Sequence, residues 1–469
     1  MSATTTMNEN TKAAPKNGRL PPGPPERRGI VRSLRYYAAF AWDPIGFVKN
    51  RFTTYGDVYY ATNPSGGLVV FRHPDHLHEV LSTKASSFTK EHTAFAQLSR
   101  VLGDGLLTSD GATWTRQRRM IGPAFAPARI AEYAAVMVDE AVATVGDWAG
   151  GGARSISKDM AALTLRVVSR ALFGHDVAQN DIRTIASAMG AFQESLSSPD
   201  FLPSWVRTPA RRRLEEGSAA LDRLMYRLIE ERRRNEEDRK RTDLLERLVT
   251  AVDTEGKGEK LTIEEVRDQL VTLFLAGHET TAHALTWAFY ALARNPTVEK
   301  KLHDELDRVL AGRPPTVADL DRLPYTEQVL NETLRMYPPV YGIARRAAED
   351  VVIGEWLVPK NSEVMLWVYL THHDPRFFPD PERFDPERFA PDRVASIPKF
   401  AFLPFGGGPR ACIGKSFALL EGRLLLATIA QRYRLVLAKN ARVEVAPKIT
   451  LTPKGGLSMI VVERTQPTS

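Results

Sequence analysis

Cysteine is almost absent from this sequence, which has a single one, Cys412, in 469 residues. One thiol cannot form a disulfide within the chain, and such sparse cysteine usage is typical of a reducing compartment. It also excludes a structural zinc site built on several thiolates and an iron–sulfur cluster held by four. Any chemistry at Cys412 therefore involves one sulfur atom.

Long hydrophobic runs are absent as well. The first 19 residues are rich in Ser, Thr, Asn and Lys and have no apolar core, which excludes a signal peptide. Segment 36–48 is apolar, but Asp43 and Pro44 interrupt it. No later run approaches the roughly 20 apolar residues that cross a bilayer. We therefore expect a cytoplasmic protein without a membrane span.

The sequence has no excess of acidic residues. It contains 63 Lys and Arg against 56 Asp and Glu, which gives a formal charge of +7. The basic residues are mostly interleaved with acids, and the densest run, 207–241, has the pattern of a solvated helix face. We predict a basic patch for an acidic protein partner and no nucleic-acid partner.

The apolar pattern is mainly helical between residues 75 and 253. Gly and Pro interrupt it at 103–111, 150–152 and 199–209. Few segments have the pattern of strands, and these are 57–62, 67–71, 351–358, the residues around Val364, and a last hairpin around 453–456. The pattern predicts one mainly α domain with small peripheral β-sheets.

One helix is much longer than the others. Thr262 and Glu265 have the spacing of a capping box, and Asn295 and Pro296 end the segment. About 32 residues lie between these signals, which corresponds to roughly 48 Å. Because the middle of the segment is apolar on all sides, this helix should run through the core. Further helices are predicted at 325–336 and 413–432.

The strongest chemical signal is the segment 405–414, which contains three consecutive glycines and Cys412. An inert buried cysteine usually lies among aliphatic residues, whereas this one lies in a polar, glycine-rich loop. Glycines let backbone N–H groups turn toward a thiolate, and the following helix directs its N-terminus at it. Arg410 adds a cation that suits a carboxylate, and Gly414 leaves room for a flat ligand.

This segment is similar at every fixed position to the haem-binding signature of the cytochromes P450, Phe-x-x-Gly-x-Arg-x-Cys-x-Gly, with Phe405 and Gly414 at its ends. The resemblance spans about residues 20–462. It implies a single P450 domain over 19–469, shaped as a triangular prism with the long helix over the haem, after a disordered segment 1–18. It also implies haem b, with Cys412 as the ligand of the iron.

The long helix carries a second motif, at 276–281. An acid followed by two threonines within an apolar helix is costly unless it is used. The motif resembles the oxygen-activation segment of the family, which implies that Thr280 donates a hydrogen bond at the oxygen site and that Glu279 supplies protons. Ala276 and Gly277 would form the groove over the haem. Two nearby histidines are expected to be structural: His278 and His283.

Two further groups follow from the resemblance. Glu332 and Arg335 match a buried ion pair of the family, and Arg388 is the expected third member, with Arg383 as the alternative. The second group comprises the residues that would bind the haem propionates: Trp114, Arg118, Arg345 and Arg410. We exclude the neighbouring Arg346 from that group.

The implied reaction is the hydroxylation or epoxidation of a lipophilic small molecule with O2. Electrons would come from an NAD(P)H-dependent reductase through a ferredoxin or flavodoxin that docks on a basic surface including Lys415. The alternatives are a peroxide-driven peroxygenase, a P450-type isomerase and a non-catalytic haem-binding protein, none of which would need the acid–threonine pair.

The pattern of apolar residues suggests the walls of a substrate pocket. A fatty acid, a terpenoid or a steroid would suit such walls. We expect them in the following places: 88–106, 192–205, Phe274, Ala276 and 341–344.

Overall fold

The computed structural model describes residues 18–24, 38–63, 66–174, 178–197, 206, 208–234, 243–253, 256, 258–439 and 441–465. The segment 1–18 lies outside these ranges except for Gly18. Within them the helices of ten or more residues are α1 (Pro44–Tyr55), α2 (Thr93–Leu102), α3 (Gly111–Ile121), α4 (Ala134–Gly146), α5 (Ile156–Phe173), α6 (Gln179–Ser197), α7 (Pro209–Arg234), α8 (Ile263–Arg294), α9 (Pro296–Leu310), α10 (Pro324–Met336) and α11 (Lys415–Ala430). Shorter helices lie at Pro74–His78, Pro127–Ala131, Leu244–Thr250, Val368–His372 and Pro391–Val394.

The strands of the described residues form four small sheets. They are β1 (Val58–Asn63), β2 (Gly66–Phe71), β3 (Phe88–Thr89), β4 (Gly152–Ser155), β5 (Ile343–Ala347), β6 (Val351–Ile353), β7 (Trp356–Val358), β8 (Glu363–Leu366), β9 (Tyr433–Leu437), β10 (Val445–Pro447), β11 (Leu451–Pro453) and β12 (Ser458–Glu463). The largest sheet has the order β1-β2-β8-β5-β3, in which β2 and β8 are parallel. The others are β4-β12-β9, β10-β11 and β6-β7. The predicted fold class, mainly α with small sheets, is confirmed.

Helix α8 is the long helix predicted from the sequence, with 32 residues. The hydroxyl of Thr262 accepts from the backbone N–H of Glu265, and the carboxylate of Glu265 accepts from the N–H of Thr262, so the predicted capping box is present. Pro296 follows the C-cap Asn295 and begins α9. Both ends therefore form where the sequence placed them.

Two large hydrophobic clusters share α8. Leu270 and Phe274, in its first half, pack in a cluster with α5, α6 and α7. Leu285 and Phe289, in its second half, pack in a cluster with α4, α9 and α11. This sharing explains why the helix is apolar on nearly all sides, since each face meets another element. The segment 276–281 lies between the two clusters.

The start of α11 and the last predicted hairpin differ from the structure. Helix α11 begins at Lys415, two residues later than predicted, because 408–410 forms a separate 3-10 turn before it. The predicted hairpin around 453–456 is wrong. Gly455 and Gly456 do turn the chain with positive φ, but β11 pairs with β10 whereas β12 pairs with β4 and β9. The turn therefore connects two sheets.

Within the described residues, every helix is too short or too polar to cross a bilayer.

Candidate active site

A cavity of about 2090 Å³ lies between α8 and the loop that carries Cys412. Most of its wall is apolar. Helix α8 closes one side with Ala276, Gly277 and Thr280, and Cys412 lies on the wall as well. The wall also includes the following residues predicted from the sequence: Trp114, Arg118, Arg345, Phe405, Arg410 and Gly414. Ligand pockets usually have volumes of about 300–1,000 Å³, so this cavity has room for both a large cofactor and a substrate.

The loop before Cys412 packs against the segment after Pro74–His78. Gly408 has a φ of 67°, and a Cβ at this position would overlap the carbonyl oxygen of Leu81. The N–H of Cys412 donates to the carbonyl of Phe405 at 2.9 Å, which closes the loop. Gly414 lines the cavity, and its Cβ would lie 3.9 Å from the sulfur of Cys412. The glycines therefore fix the loop and leave the space beside the sulfur open.

Burial raises the pKa of the Cys412 thiol, whereas a hydrogen bond from the N–H of Gly414 and the charge of Arg118 lower it. Although protein surrounds the sulfur, the side chain remains exposed toward the cavity. These opposing effects on the pKa fit a thiolate that binds a metal. A bound metal ion would place positive charge beside the sulfur and so stabilise the charged form that burial disfavours.

Several cations surround the cavity without enough carboxylates to match them. Arg345 is 7% exposed, and its guanidinium donates to the carbonyl of Ala344 at 2.8 Å. Burial and the nearby charge of Arg410 lower the pKa of Arg345 to about 10. Lys90 is also buried, its ammonium donates to the carbonyl of Leu107, and burial lowers its pKa far below the usual value.

No carboxylate among the described residues forms an ion pair with Arg345 or Lys90. Arg410 does have such a partner in Asp110, and it lies 4.2 Å from the ring centroid of Trp114. Buried cations without partners are costly, and a ligand with two carboxylates would neutralise them. These residues therefore fit a haem, whose propionates would meet the cations while its iron meets Cys412.

The acid and the threonine of α8 face different surroundings. The hydroxyl of Thr280 donates to the carbonyl of Ala276 at 2.8 Å and lines the cavity. The carboxylate of Glu279 lies away from the cavity wall and accepts from the hydroxyl of Thr450 at 2.9 Å. Burial raises the pKa of Glu279, whereas His283 and the hydrogen bond from Thr450 lower it. The lowering effects together are larger than the effect of burial, so the pKa of Glu279 lies below its usual value. The acid is thus charged in this arrangement.

The predicted ion network lies at the end of α10. Arg335 and Glu332 are fully buried, and the Nε atom of Arg335 is 2.7 Å from a carboxylate oxygen. Arg388 is 6% exposed and lies 3.4 Å from the same carboxylate, whereas the side chain of Arg383 is exposed. The guanidinium of Arg335 also donates to the carbonyls of His372 and Pro381. This network ties α10 to the chain that leads into the Cys412 loop.

Some of the expected pocket wall is not at the cavity. Phe274 and Phe192 pack in the hydrophobic cluster around α5 to α7, and the ring of Phe274 lies 5.2 Å from that of Phe173. Much of 192–205 lies outside the described residues. Tyr341 and its three successors do line the cavity, as do Leu98 and Leu106 of the predicted loop.

Sequence reasoning missed four polar residues near this site. Lys90 and His92 line the cavity, Thr450 binds Glu279, and Glu421 is buried near Thr281. None of these residues stands in a motif, and for Thr450 and Glu421 only the tertiary contacts reveal a place near the site. The run Lys90-Glu91-His92 lies within the predicted wall loop, and its charge in an apolar context was the available signal.

Comparisons with known proteins identify the family. The family model described as Cytochrome P450 matches residues 21–459. The chain is 39% identical to cyclooctatin synthase from Streptomyces melanosporofaciens, over 83% of this chain and 84% of that protein. It is 36% identical to cyclooctat-9-en-7-ol 5-monooxygenase from the same organism, over 92% of this chain and 94% of that protein.

A solved structure has the same fold. The crystal structure of a cytochrome P450DA mutant heme domain matches with a TM-score of 0.82 and 29% sequence identity, over 96% of this chain and 98% of that one. The family model and the solved structure thus agree on one fold family. The chain therefore belongs to the cytochrome P450 family and is an enzyme of its monooxygenase class.

Proposed function

We propose that this protein is a haem-thiolate monooxygenase that hydroxylates or epoxidises a lipophilic, terpenoid-like molecule. Electrons would come from a separate NAD(P)H-dependent reductase through a ferredoxin or a flavodoxin. One observation carries the proposal: Cys412 and Thr280 line the same apolar cavity, and buried cations stand at its wall. The sparse cysteine usage supports our expectation of a cytoplasmic location.

Different residues of the cavity would bind different parts of a haem. Cys412 would bind the iron, and Arg118, Arg345 and Arg410 would bind the propionates, with the ring of Trp114 beside them. When bound, the haem supplies the activation of O2, and the thiolate ligand favours cleavage of the O–O bond. The buried network of Glu332, Arg335 and Arg388 would fix the loop that presents the sulfur.

The residues of α8 would transfer protons to the reacting oxygen and exclude water from the space around it. The hydroxyl of Thr280, at the cavity wall, would donate a hydrogen bond to the reacting oxygen in place of its bond to Ala276. Glu279 would replace the proton, because a charged carboxylate next to this segment can accept one from outside. Ala276 and Gly277 have small side chains, so they leave room for O2 and substrate beside the helix.

The apolar wall supports a hydrocarbon-rich substrate. One relative is named for the 5-monooxygenation of cyclooctat-9-en-7-ol, an unsaturated alcohol. We infer a substrate of comparable character, a largely cyclic hydrocarbon skeleton that carries few polar groups. Such a molecule would gain roughly 25 cal/mol for each Å² of apolar surface that enters the cavity.

The test is a substrate screen followed by turnover. Purified ferric holoenzyme would be titrated with cyclic terpene hydrocarbons, terpene alcohols, steroids and fatty acids, while the Soret band reports displacement of water from the iron. We expect the terpene alcohols to give the largest shifts. Binders would then be incubated with a ferredoxin, its reductase, NADPH and O2, and one oxygen atom from labelled O2 should appear in the product.

Two results would contradict the proposal. Equal turnover with hydrogen peroxide alone would favour a peroxygenase, and reductant consumption that no ligand stimulates would favour a non-catalytic haem protein. Preferential shifts with fatty acids would leave the reaction class intact but overturn the proposed substrate class.

A further inference from the structure

His283 lies next to the acid of the α8 motif. Its Nε2 atom is 3.4 Å from Oε1 of Glu279, one turn earlier on the same helix. The side chain of His283 is 17% exposed, whereas that of Glu279 is 10% exposed. An imidazole that is more exposed than the adjacent carboxylate can take protons from water and pass them inward.

The second histidine of this segment has a different environment. His278 is 6% exposed, and its Nδ1 atom lies 2.7 Å from the carbonyl of Phe274. Its own carbonyl accepts from the hydroxyl of Thr164 on α5. Burial lowers the pKa of His278. The environment of His278 is thus that of a structural residue, as expected from the sequence. His283 was expected to be structural too, but its contact with Glu279 indicates a role in the site.

The carboxylate of Glu279 is held toward His283 by a second element. The hydroxyl of Thr450, in the turn between β10 and β11, donates to Oε1 at 2.9 Å. That turn is fixed in place, because the indole N–H of Trp287 donates to the carbonyl of Leu451 at 2.9 Å. The N–H of Leu451 in turn donates to the carbonyl of Pro339. Thr450 and His283 thus meet the same carboxylate oxygen.

Few other titratable groups face this pair. His278, on the same helix, interacts weakly with both partners. From α11, Glu421 approaches Thr281, and in the facing turn Lys448 is exposed at the cavity wall. The partners that determine the protonation of Glu279 are therefore mainly His283 and Thr450.

We propose that His283 is a relay residue that supplies protons to Glu279 for the oxygen chemistry at Thr280. The proposal rests on the proposed monooxygenase function. The proton leaves Nε2 of the imidazolium and binds Oε1 of the carboxylate, so the pair changes from two opposite charges to two neutral groups. Water then returns a proton to the imidazole. Rotation of the neutral Glu279 side chain brings the proton toward Thr280, which lines the cavity.

The contact is tested by NMR without turnover. NMR spectra of the reduced carbon monoxide form of the holoenzyme, with labelled histidine, would be recorded over a pH series, and the loss of one signal in His283→Gln would assign His283 among the ten histidines. Glu279→Gln should move the signal of His283 across this series, because the variant lacks the carboxylate that faces Nε2. An unchanged His283 signal in Glu279→Gln would overturn the relay even if no substrate were known.

The role is tested by turnover of the same holoenzyme. His283→Gln should slow the O2-dependent reaction about tenfold near neutral pH, less than the roughly 10²–10⁴-fold of a direct general acid, because His283 acts through Glu279. It should also change the pH profile of that rate. The peroxide-driven side reaction should change by less than about twofold, because peroxide brings its own protons. Thr450→Val should give a smaller loss of the O2-dependent rate.

His303→Gln, on α9 and away from the cavity, is the matched control and should leave both rates unchanged. Equal losses in the O2-dependent and peroxide-driven reactions of His283→Gln would indicate a structural role and overturn the proposal. Unchanged rates in both would do so too. A wild-type protein that oxidises none of the screened compounds would instead count against the proposed function, since the NMR titration is independent of it.

Discussion

Burial and charge act on Cys412 in opposite directions. Burial raises the pKa of the thiol, while the N–H of Gly414 and the charge of Arg118 lower it. A metal ion would resolve this conflict, because it binds the thiolate and replaces the proton. A thiolate at Cys412 would therefore carry a charge that the protein alone does not fully stabilise.

Cys412→Ser should accordingly remove the thiolate ligand. We expect the Soret band of the reduced carbon monoxide adduct to move away from its wild-type position, and turnover to fall by more than the roughly 10–100-fold that loss of a ligand's supporting hydrogen bond costs. Absorption spectra of the reduced protein provide the measurement. Ser416→Ala, at the exposed start of α11, is the control. An unchanged band in Cys412→Ser would refute sulfur ligation.

Glu421 is a second buried ionisable group. It is 1% exposed, and its two carboxylate oxygens have no hydrogen-bond partner among the described residues. Thr281 lies close enough to lower the pKa slightly, but its geometry falls short of a hydrogen bond. Burial dominates and raises the pKa of Glu421 to about 8. Glu421 is therefore neutral at neutral pH.

This shift predicts a pH dependence of stability. Between the ordinary glutamate pKa of 4.5 and the raised value of about 8, the folded protein binds a proton at Glu421 that the unfolded chain does not. Stability from this group therefore decreases as pH rises, by roughly 1.4 kcal/mol per pH unit within the window. Glu421→Gln should remove this slope and become the more stable form toward pH 8.

Urea unfolding of the holoenzyme at several pH values would measure the difference between wild type and Glu421→Gln. Glu215→Gln, which changes an exposed carboxylate on α7, should reproduce the wild-type slope. Parallel pH profiles of wild type and Glu421→Gln would show that Glu421 is not protonated in the fold.

At the scale of elements, a buried ion network joins α10 to the chain before the haem loop, in addition to the apolar cluster that Leu330 and Leu334 form with Phe402. Glu332 and Arg335 are fully buried, and Arg388 completes the network from the 3-10 turn Pro386–Phe389. Burial raises the pKa of Glu332 even though three favourable contacts oppose it. Removing one partner would leave the others buried without compensation.

Arg388→Ala should thus lower the free energy of unfolding by about 3–5 kcal/mol, the usual cost of breaking a buried ion pair. Arg383→Ala should cost less than about 0.5 kcal/mol, because only the backbone of that exposed residue meets the network. Urea midpoints and haem retention would be compared. A larger loss in Arg383→Ala would assign the third position to Arg383 instead.

Elements with local signals were predictable from the sequence. The ends of α8 follow from Thr262, Glu265 and Pro296, and the Cys412 loop follows from its glycines. The side of α8 that faces the cavity did not follow from periodicity, since the helix is apolar all round. Phe274 precedes Ala276 by two residues, about 200° around the helix, and so packs on the opposite side. Pairings between strands that are distant in the sequence, such as β12 with β4, could not be predicted from the sequence either.

At the scale of the molecule, the charge distribution bears on how electrons arrive. The chain has a net charge of +7, and Lys415 is exposed at the first residue of α11, three positions after Cys412. A cation at a helix N-terminus is unfavourable for the helix by roughly 0.3–1 kcal/mol. Its presence there is explained if it contributes to a positive surface on the thiolate side of the haem that attracts an acidic redox protein.

Lys415→Glu should therefore slow the reduction of the ferric enzyme by an acidic ferredoxin several-fold at low ionic strength, without destabilising α11. Near 1 M salt, where the screening length is about 3 Å, the two rates should converge. Stopped-flow reduction across a salt series is the measurement. Lys158→Glu makes the same charge change at an exposed position on α5 and should alter the rate less. If Lys158→Glu slowed reduction equally, net charge rather than a local docking surface would attract the partner, and Lys415 would lose its assigned role.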